Sequence, residues 1–256
     1  MKQIAIALAG LPFVAFGCGK PSTPPVVKLP PGAIQIQLPA ADGHTVYADF
    51  YAAGSERAKS VLLMFHQARS NAGEYETIAP HFTKIGFDCL AIDQRSGGNM
   101  FHRENRTAAV ANGSTDYMAT YADLQGAVAW AEKQHYSLIV PWGSSYSAAL
   151  TLKLLSESPK LKAGLVFSLG EYMGDKGTVK AWASAVKVPV YFVCTPDELR
   201  DGRQELFDAL GDKKDSELIA YPGSVHGSST AIQHLSPVAA MIVLKAKEFL
   251  QKYVPK

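Results

Sequence analysis

From residue 33 onward, short apolar runs alternate with stretches of helical period. Residues 33–38 alternate, with Ile34, Ile36 and Leu38 on one face, and residues 46–51 alternate in the same way. The Asp42-Gly43 pair between them is a strong short-range hairpin signal. Residues 60–66 (SVLLMFH) form a continuous apolar run, the pattern of a strand covered on both faces. Runs at 88–92, 138–142, 165–168 and 190–193 repeat that type, and 216–221 reads as the last strand. Helical spacing fills the gaps: Leu124, Ala127, Val128 and Ala131 fall at i, i+3, i+4 and i+7, and Ile242, Ala246, Phe249 and Tyr253 form a second apolar stripe. Two antiparallel strands followed by alternating β and α segments predict an α/β fold: a mostly parallel, eight-stranded sheet with helices on both faces, built from residues 33–256 as one domain.

The first 32 residues break this pattern. Lys2 precedes an apolar run at 4–16 that is of signal-peptide length and too short to span a bilayer. Ala15-Phe16-Gly17-Cys18 follows it and resembles the lipobox of bacterial lipoproteins, which implies lipidation of Cys18 after removal of the leader that ends there, within residues 1–18. Residues 19–32 carry Pro21, Pro24, Pro25, Pro30 and Pro31, a composition that favours an extended tether over a packed core. The expectation is an exported protein of the cell envelope, held to a membrane by its N-terminal lipid; ordinary signal cleavage to a soluble secreted form is the alternative. Cys89 and Cys194 sit in apolar runs and read as buried thiols. The net charge of +2 comes without a basic block, so nothing supports a nucleic-acid partner.

Ligands of open parallel sheets bind beyond the C-terminal ends of the strands, so chemistry is sought just after each one. After the fifth strand stands Trp142-Gly143-Ser144-Ser145-Tyr146-Ser147-Ala148-Ala149. A serine between small residues at a strand-to-helix turn is a nucleophile elbow, G-x-S-x-G, with Ser147 in place of the last glycine. Serine needs a base within hydrogen-bond reach. Of the seven histidines, His226 lies directly after the last strand. An orienting carboxylate is expected after the seventh, where Asp197 and Glu198 adjoin. The order Ser145, acid, His226 is the most specific signal in the chain. One oxyanion donor is expected from the Tyr146 amide and another from Gln67 or Ala68 after the third strand, with His66 structural. Residues 98–122 read as an irregular insertion over the catalytic end, a small lid or pocket wall. Arg69, Arg95, Arg103 and Arg106, with His102, lie in segments after strands three and four, where they could face a carboxylate on the substrate. No metal or organic cofactor is called for.

These motifs, with Phe65-His66-Gln67-Ala68 and Asp93-Gln94-Arg95-Ser96-Gly97-Gly98, resemble the α/β-hydrolase superfamily, and within it small serine esterases and dienelactone-hydrolase-like enzymes, over residues 32–254. The resemblance implies the α/β-hydrolase fold and hydrolysis of a small-molecule acyl substrate, an ester first, with thioester, amide or carbon–carbon cleavage or a non-catalytic envelope binding protein as alternatives. Dienelactone hydrolases carry cysteine at the elbow where this chain has Ser145, which separates it from the dienelactone substrate itself. The family's register, counted from Pro189, favours Glu198 as the acid over Asp197, with Glu171 after the sixth strand a third candidate.

Overall fold

The computed structural model describes residues 23–54, 59–111 and 116–253. Cys18, the leader and the first part of the tether lie outside these residues. The strands are β1 (Ala33–Pro39), β2 (Thr45–Tyr51), β3 (Ser60–Phe65), β4 (Phe87–Ile92), β5 (Leu138–Ser144), β6 (Gly164–Phe167), β7 (Val190–Val193) and β8 (Glu217–Ile219). The helices are α1 (Ala79–Thr83), α2 (Arg106–Val110), α3 (Tyr121–Lys133), α4 (Tyr146–Glu157), α5 (Thr178–Ala185), α6 (Pro196–Glu198), α7 (Gln204–Asp208) and α8 (Ala239–Gln251). The strands form one 8-stranded sheet in the order β1-β2-β4-β3-β5-β6-β7-β8. β2 pairs antiparallel with both β1 and β4, and the remaining neighbours are parallel.

Every residue of β3, β4, β5, β6 and β7 is buried, as their unbroken apolar runs require of strands with helices on both faces. The two-residue side-chain period divides the core into two layers. Val61, Leu63 and Phe65 meet α3, α4 and α5 on one face, whereas Leu62, Met64 and Trp142 meet α1 and α8 on the other. Leu124, Ala127, Val128 and Ala131 are all buried, so the period of α3 does mark its core face. The edge strands depart from expectation. Ile34 is 58% exposed and Leu38 only 2%, because β1 is the sheet's margin and helical cover reaches only its C-terminal end. β8 pairs with β7 alone and is shorter than its apolar run.

β3 lies between β4 and β5, so the chain leaves it in one direction and returns to its other side. That switch of direction opens a crevice beyond the strand ends, flanked by the loops after β3 and β5. The described part of the insertion is pinned to the body. Arg106 bonds Asp93 at 2.6 Å and Asp49 at 2.8 Å, Arg103 bonds Asp49 at 2.7 Å, and the Asn71 amide donates to the carbonyls of Gly98, Met100 and Arg103. Buried ion pairs of this kind hold a wall in place.

Candidate active site

The elbow is built by close approach. A Cβ on Gly143 would stand 2.4 Å from the Ser147 carbonyl oxygen and from Thr151 Oγ1, so the turn has no room for one. Ser145 takes φ 58° and ψ −120°, a left-handed conformation costly for a residue with a side chain. Its N–H donates to the Phe167 carbonyl at 2.8 Å, which ties the strained turn to β6. Ser147 fits where glycine is usual because its hydroxyl donates to the His66 carbonyl (2.6 Å) and accepts from Gln94 Nε2 (2.7 Å). The substitution thus adds hydrogen bonds to a buried position and strands no polar atom there.

The three separate loops meet at His226. Its Nε2 is 2.9 Å from Ser145 Oγ, and its Nδ1 is 2.6 Å from Glu198 Oε1. The other carboxylate oxygen of Glu198 accepts from the Thr195 N–H (2.9 Å) and from Ser168 Oγ (2.8 Å). Thr195 and Glu198 form a reciprocal capping box at the start of α6. Burial pushes the Glu198 carboxyl up, but the hydrogen bonds from His226, Thr195 and Ser168 outweigh it and hold the group below its usual range. An ionised Glu198 has no proton to give, so Nδ1 donates and Nε2 is left to accept from Ser145. Ser168, itself at φ 51°, also accepts the Gly227 N–H at 2.8 Å and so joins the carboxylate to the histidine loop.

Several other sequence candidates are placed elsewhere. Asp197 is exposed and paired with Arg200. Glu171 accepts the N–H groups of Val179 and Lys180, both at 2.9 Å, and caps α5. The Gln67 N–H donates to Glu74 Oε2 at 2.9 Å and is not free for an oxyanion. The N–H groups of Ala68 and Tyr146 have no partner among the described residues. His66 is fully buried, with Nδ1 against the Gln67 carbonyl (2.7 Å) and Nε2 accepting from the Gln94 N–H (2.9 Å). Burial holds its pKa down to about 4, so it is a neutral strut.

Three of the four arginines need correction. Arg95 bonds Asp42 and Asp123, each at 2.6 Å, and joins the β1–β2 turn to α3. Arg103 and Arg106 are spent on Asp49 and Asp93. Carboxylates of the chain itself neutralise these three guanidinium groups, and none is left to meet a substrate anion. Arg69 and His102 are exposed, at φ 61° and 55°. Tyr117 stacks on Tyr146 with ring centroids 4.3 Å apart and forms part of the wall beside the elbow. Among the described residues no cluster of three His, Cys, Asp or Glu is arranged to hold a metal. Cys89 and Cys194 are buried free thiols. Sequence reasoning missed Glu74, Ser144 and Ser168. It could have found the capping box, because Thr195-Pro196-Asp197-Glu198 reads S/T-x-x-E.

An esterase from Pyrococcus furiosus superposes with a TM-score of 0.68 at 15% identity, over 87% of this chain and 93% of that one. A dienelactone hydrolase from Anabaena variabilis matches at 0.66 and 15%, over 88% of this chain and 100% of its own. This chain has the α/β-hydrolase fold. A Pyrococcus horikoshii acylaminoacyl peptidase matches at 0.63 and 14%, over 88% of this chain but 42% of that longer one. At such identities the likeness speaks for the α/β-hydrolase fold alone. No family model matches the sequence, and no curated protein matches it.

Proposed function

We propose that this chain is a serine hydrolase that transfers an acyl group to water, with a small-molecule carboxylic ester as substrate. The observation that carries the reading is His226 bridging Ser145 and Glu198 at 2.9 and 2.6 Å. In this mechanism Ser145 Oγ attacks the carbonyl carbon while His226 Nε2 takes its proton. The carbonyl oxygen becomes an oxyanion, met by the N–H groups of Ala68 and Tyr146, and Glu198 steadies the imidazolium. Collapse expels the alcohol, protonated by His226, and leaves Ser145 acylated. Water, deprotonated by the same nitrogen, then attacks the acyl-enzyme; a carboxylic acid leaves and Ser145 regains its proton. The His226 side chain is 45% exposed, which gives both substrate and water a path to it. An esterase and a dienelactone hydrolase among the structural neighbours make an ester the bond of first choice.

Labelling with a fluorophosphonate probe tests the reading. The wild type should label and hydrolyse short-chain p-nitrophenyl esters, and Ser145→Ala should do neither while keeping its circular dichroism. Undiminished labelling in Ser145→Ala would refute it. We further propose export and lipidation at Cys18, with residues 19–32 as the tether. Cys18→Ser should then move the protein from the membrane to the soluble fraction; an unacylated mature N-terminus elsewhere counts against it.

A further inference from the structure

Glu74 is a carboxylate buried directly beneath the proposed nucleophile and oxyanion loop, and the mechanism above leaves it idle. It lies in the 3-10 turn Ala72–Tyr75 after β3 and is fully buried. Among the described residues no cation pairs with it. Its partners are neutral: Oε2 accepts the Gln67 N–H at 2.9 Å and Oε1 accepts the Ser144 hydroxyl at 2.6 Å. Ser144 precedes Ser145 and also accepts the Ser228 N–H at 2.8 Å. Ser228 in turn takes the Trp142 indole N–H at 2.8 Å. Contact is so close that a Cβ on Gly227 would stand 2.6 Å from Ser144 Oγ. One carboxylate thus ties the oxyanion loop, the elbow and the histidine loop to a single point.

We propose that Glu74 is a positioning residue of this active site: it withdraws the Gln67 amide so that Ala68 offers the oxyanion N–H, and through Ser144 it fixes the elbow to the histidine loop. The inference rests on the serine-hydrolase reading. A buried carboxylate without a cation is costly to keep, and burial pushes the Glu74 carboxyl up while the donors from Ser144 and Gln67 oppose that. The titratable and charged groups around the turn are His66 after β3, Asp93 after β4, Arg103 above Gly73, Tyr75 and Glu76 on the turn, and His226 before the turn Gly227–Ala231. Asp93 and Arg103 are ion-paired, and His66 is a neutral strut. Glu74 acts on His226 through hydrogen bonds, because Ser144 holds the Ser228 N–H in the turn that follows the histidine.

Glu74→Leu tests this by removing both acceptor oxygens at similar size, with Glu74→Gln as the conservative rescue. In Glu74→Gln the amide oxygen can still accept from Gln67 and the NH2 can donate to Ser144. On the full-length protein, kcat of Glu74→Leu for a p-nitrophenyl ester should fall by about tenfold to hundredfold, short of the about 10²- to 10³-fold loss of an oxyanion donor outright. KM should hold within about twofold, and Glu74→Gln should restore kcat to within about threefold of the wild type. Unchanged kcat in Glu74→Leu would overturn the proposal. So would an equal loss in Glu74→Gln, since the hydrogen bonds it keeps would then not matter. Should Glu74→Leu fail to fold, Ser144→Ala breaks the same link, and full activity there is equally fatal. Equal hydrolysis by wild type and Ser145→Ala would instead sink the serine-hydrolase reading, a separate outcome.

Discussion

Replacing Glu198 by glutamine keeps its size and shape, yet three donors converge on that carboxylate. Oε2 receives the Thr195 N–H and the Ser168 hydroxyl, and Oε1 receives His226 Nδ1–H. The Thr195 N–H is backbone and cannot turn away, so the oxygen of the new side-chain amide must take the Oε2 side. Its NH2 then faces Nδ1, which can meet it only as an acceptor. The ring proton moves to Nε2 and points at Ser145, where it blocks proton transfer. The wrong tautomer in a triad Asp→Asn lowers kcat by about 10⁴-fold, or about 5 kcal/mol of barrier, and Glu198→Gln should approach that fall. Asp197→Asn is the control: its carboxylate is 87% exposed and pairs with Arg200 on the surface, so kcat should stay within about twofold. Steady-state ester hydrolysis, with thermal unfolding to confirm the fold, measures both. Near-normal kcat in Glu198→Gln with collapse in Asp197→Asn would refute the reasoning.

Arg106→Met should leave Asp49 and Asp93 buried beside an apolar chain and cost about 3–5 kcal/mol, read as a lower midpoint in urea; an unchanged midpoint would mean that the pinned insertion adds nothing. His66 predicts an acid-side loss of stability. Its folded pKa of about 4 lies below the usual value of about 6.5, so the unfolded chain binds the proton first. The contribution is complete above about pH 6.5 and is lost as pH falls towards about 4, by roughly 3 kcal/mol in all. His66→Asn should flatten that part of the stability–pH curve. Glu198, held below its usual range, acts in the same sense at lower pH, its contribution present above the unfolded value and lost as pH falls through the folded one.

The sequence by itself determined the sheet and pointed to the loops in which the candidate site lies. Strands covered on both faces must be apolar at every position, so the inner strands could be read directly as runs, and the 3.6-residue stripe marked the core face of α3. Position after a strand was enough to single out Ser145 and His226, because the loops at one end of a parallel sheet converge whatever their separation in the chain. The sequence did not decide which donors and acceptors those loops bring together. Arg95, Arg103 and Arg106 looked free for a substrate until folding set them against carboxylates as many as 57 residues away in the chain. The Gln67 amide looked available until Glu74 took it, and Glu198 and Asp197 were near equivalents until the capping box turned one inward and left the other in solvent. Apolar burial is non-directional and follows local pattern, so it can be read along the chain. Hydrogen bonds and ion pairs require particular atoms about 3 Å apart in defined directions, and which atoms meet is decided only when distant loops are packed together.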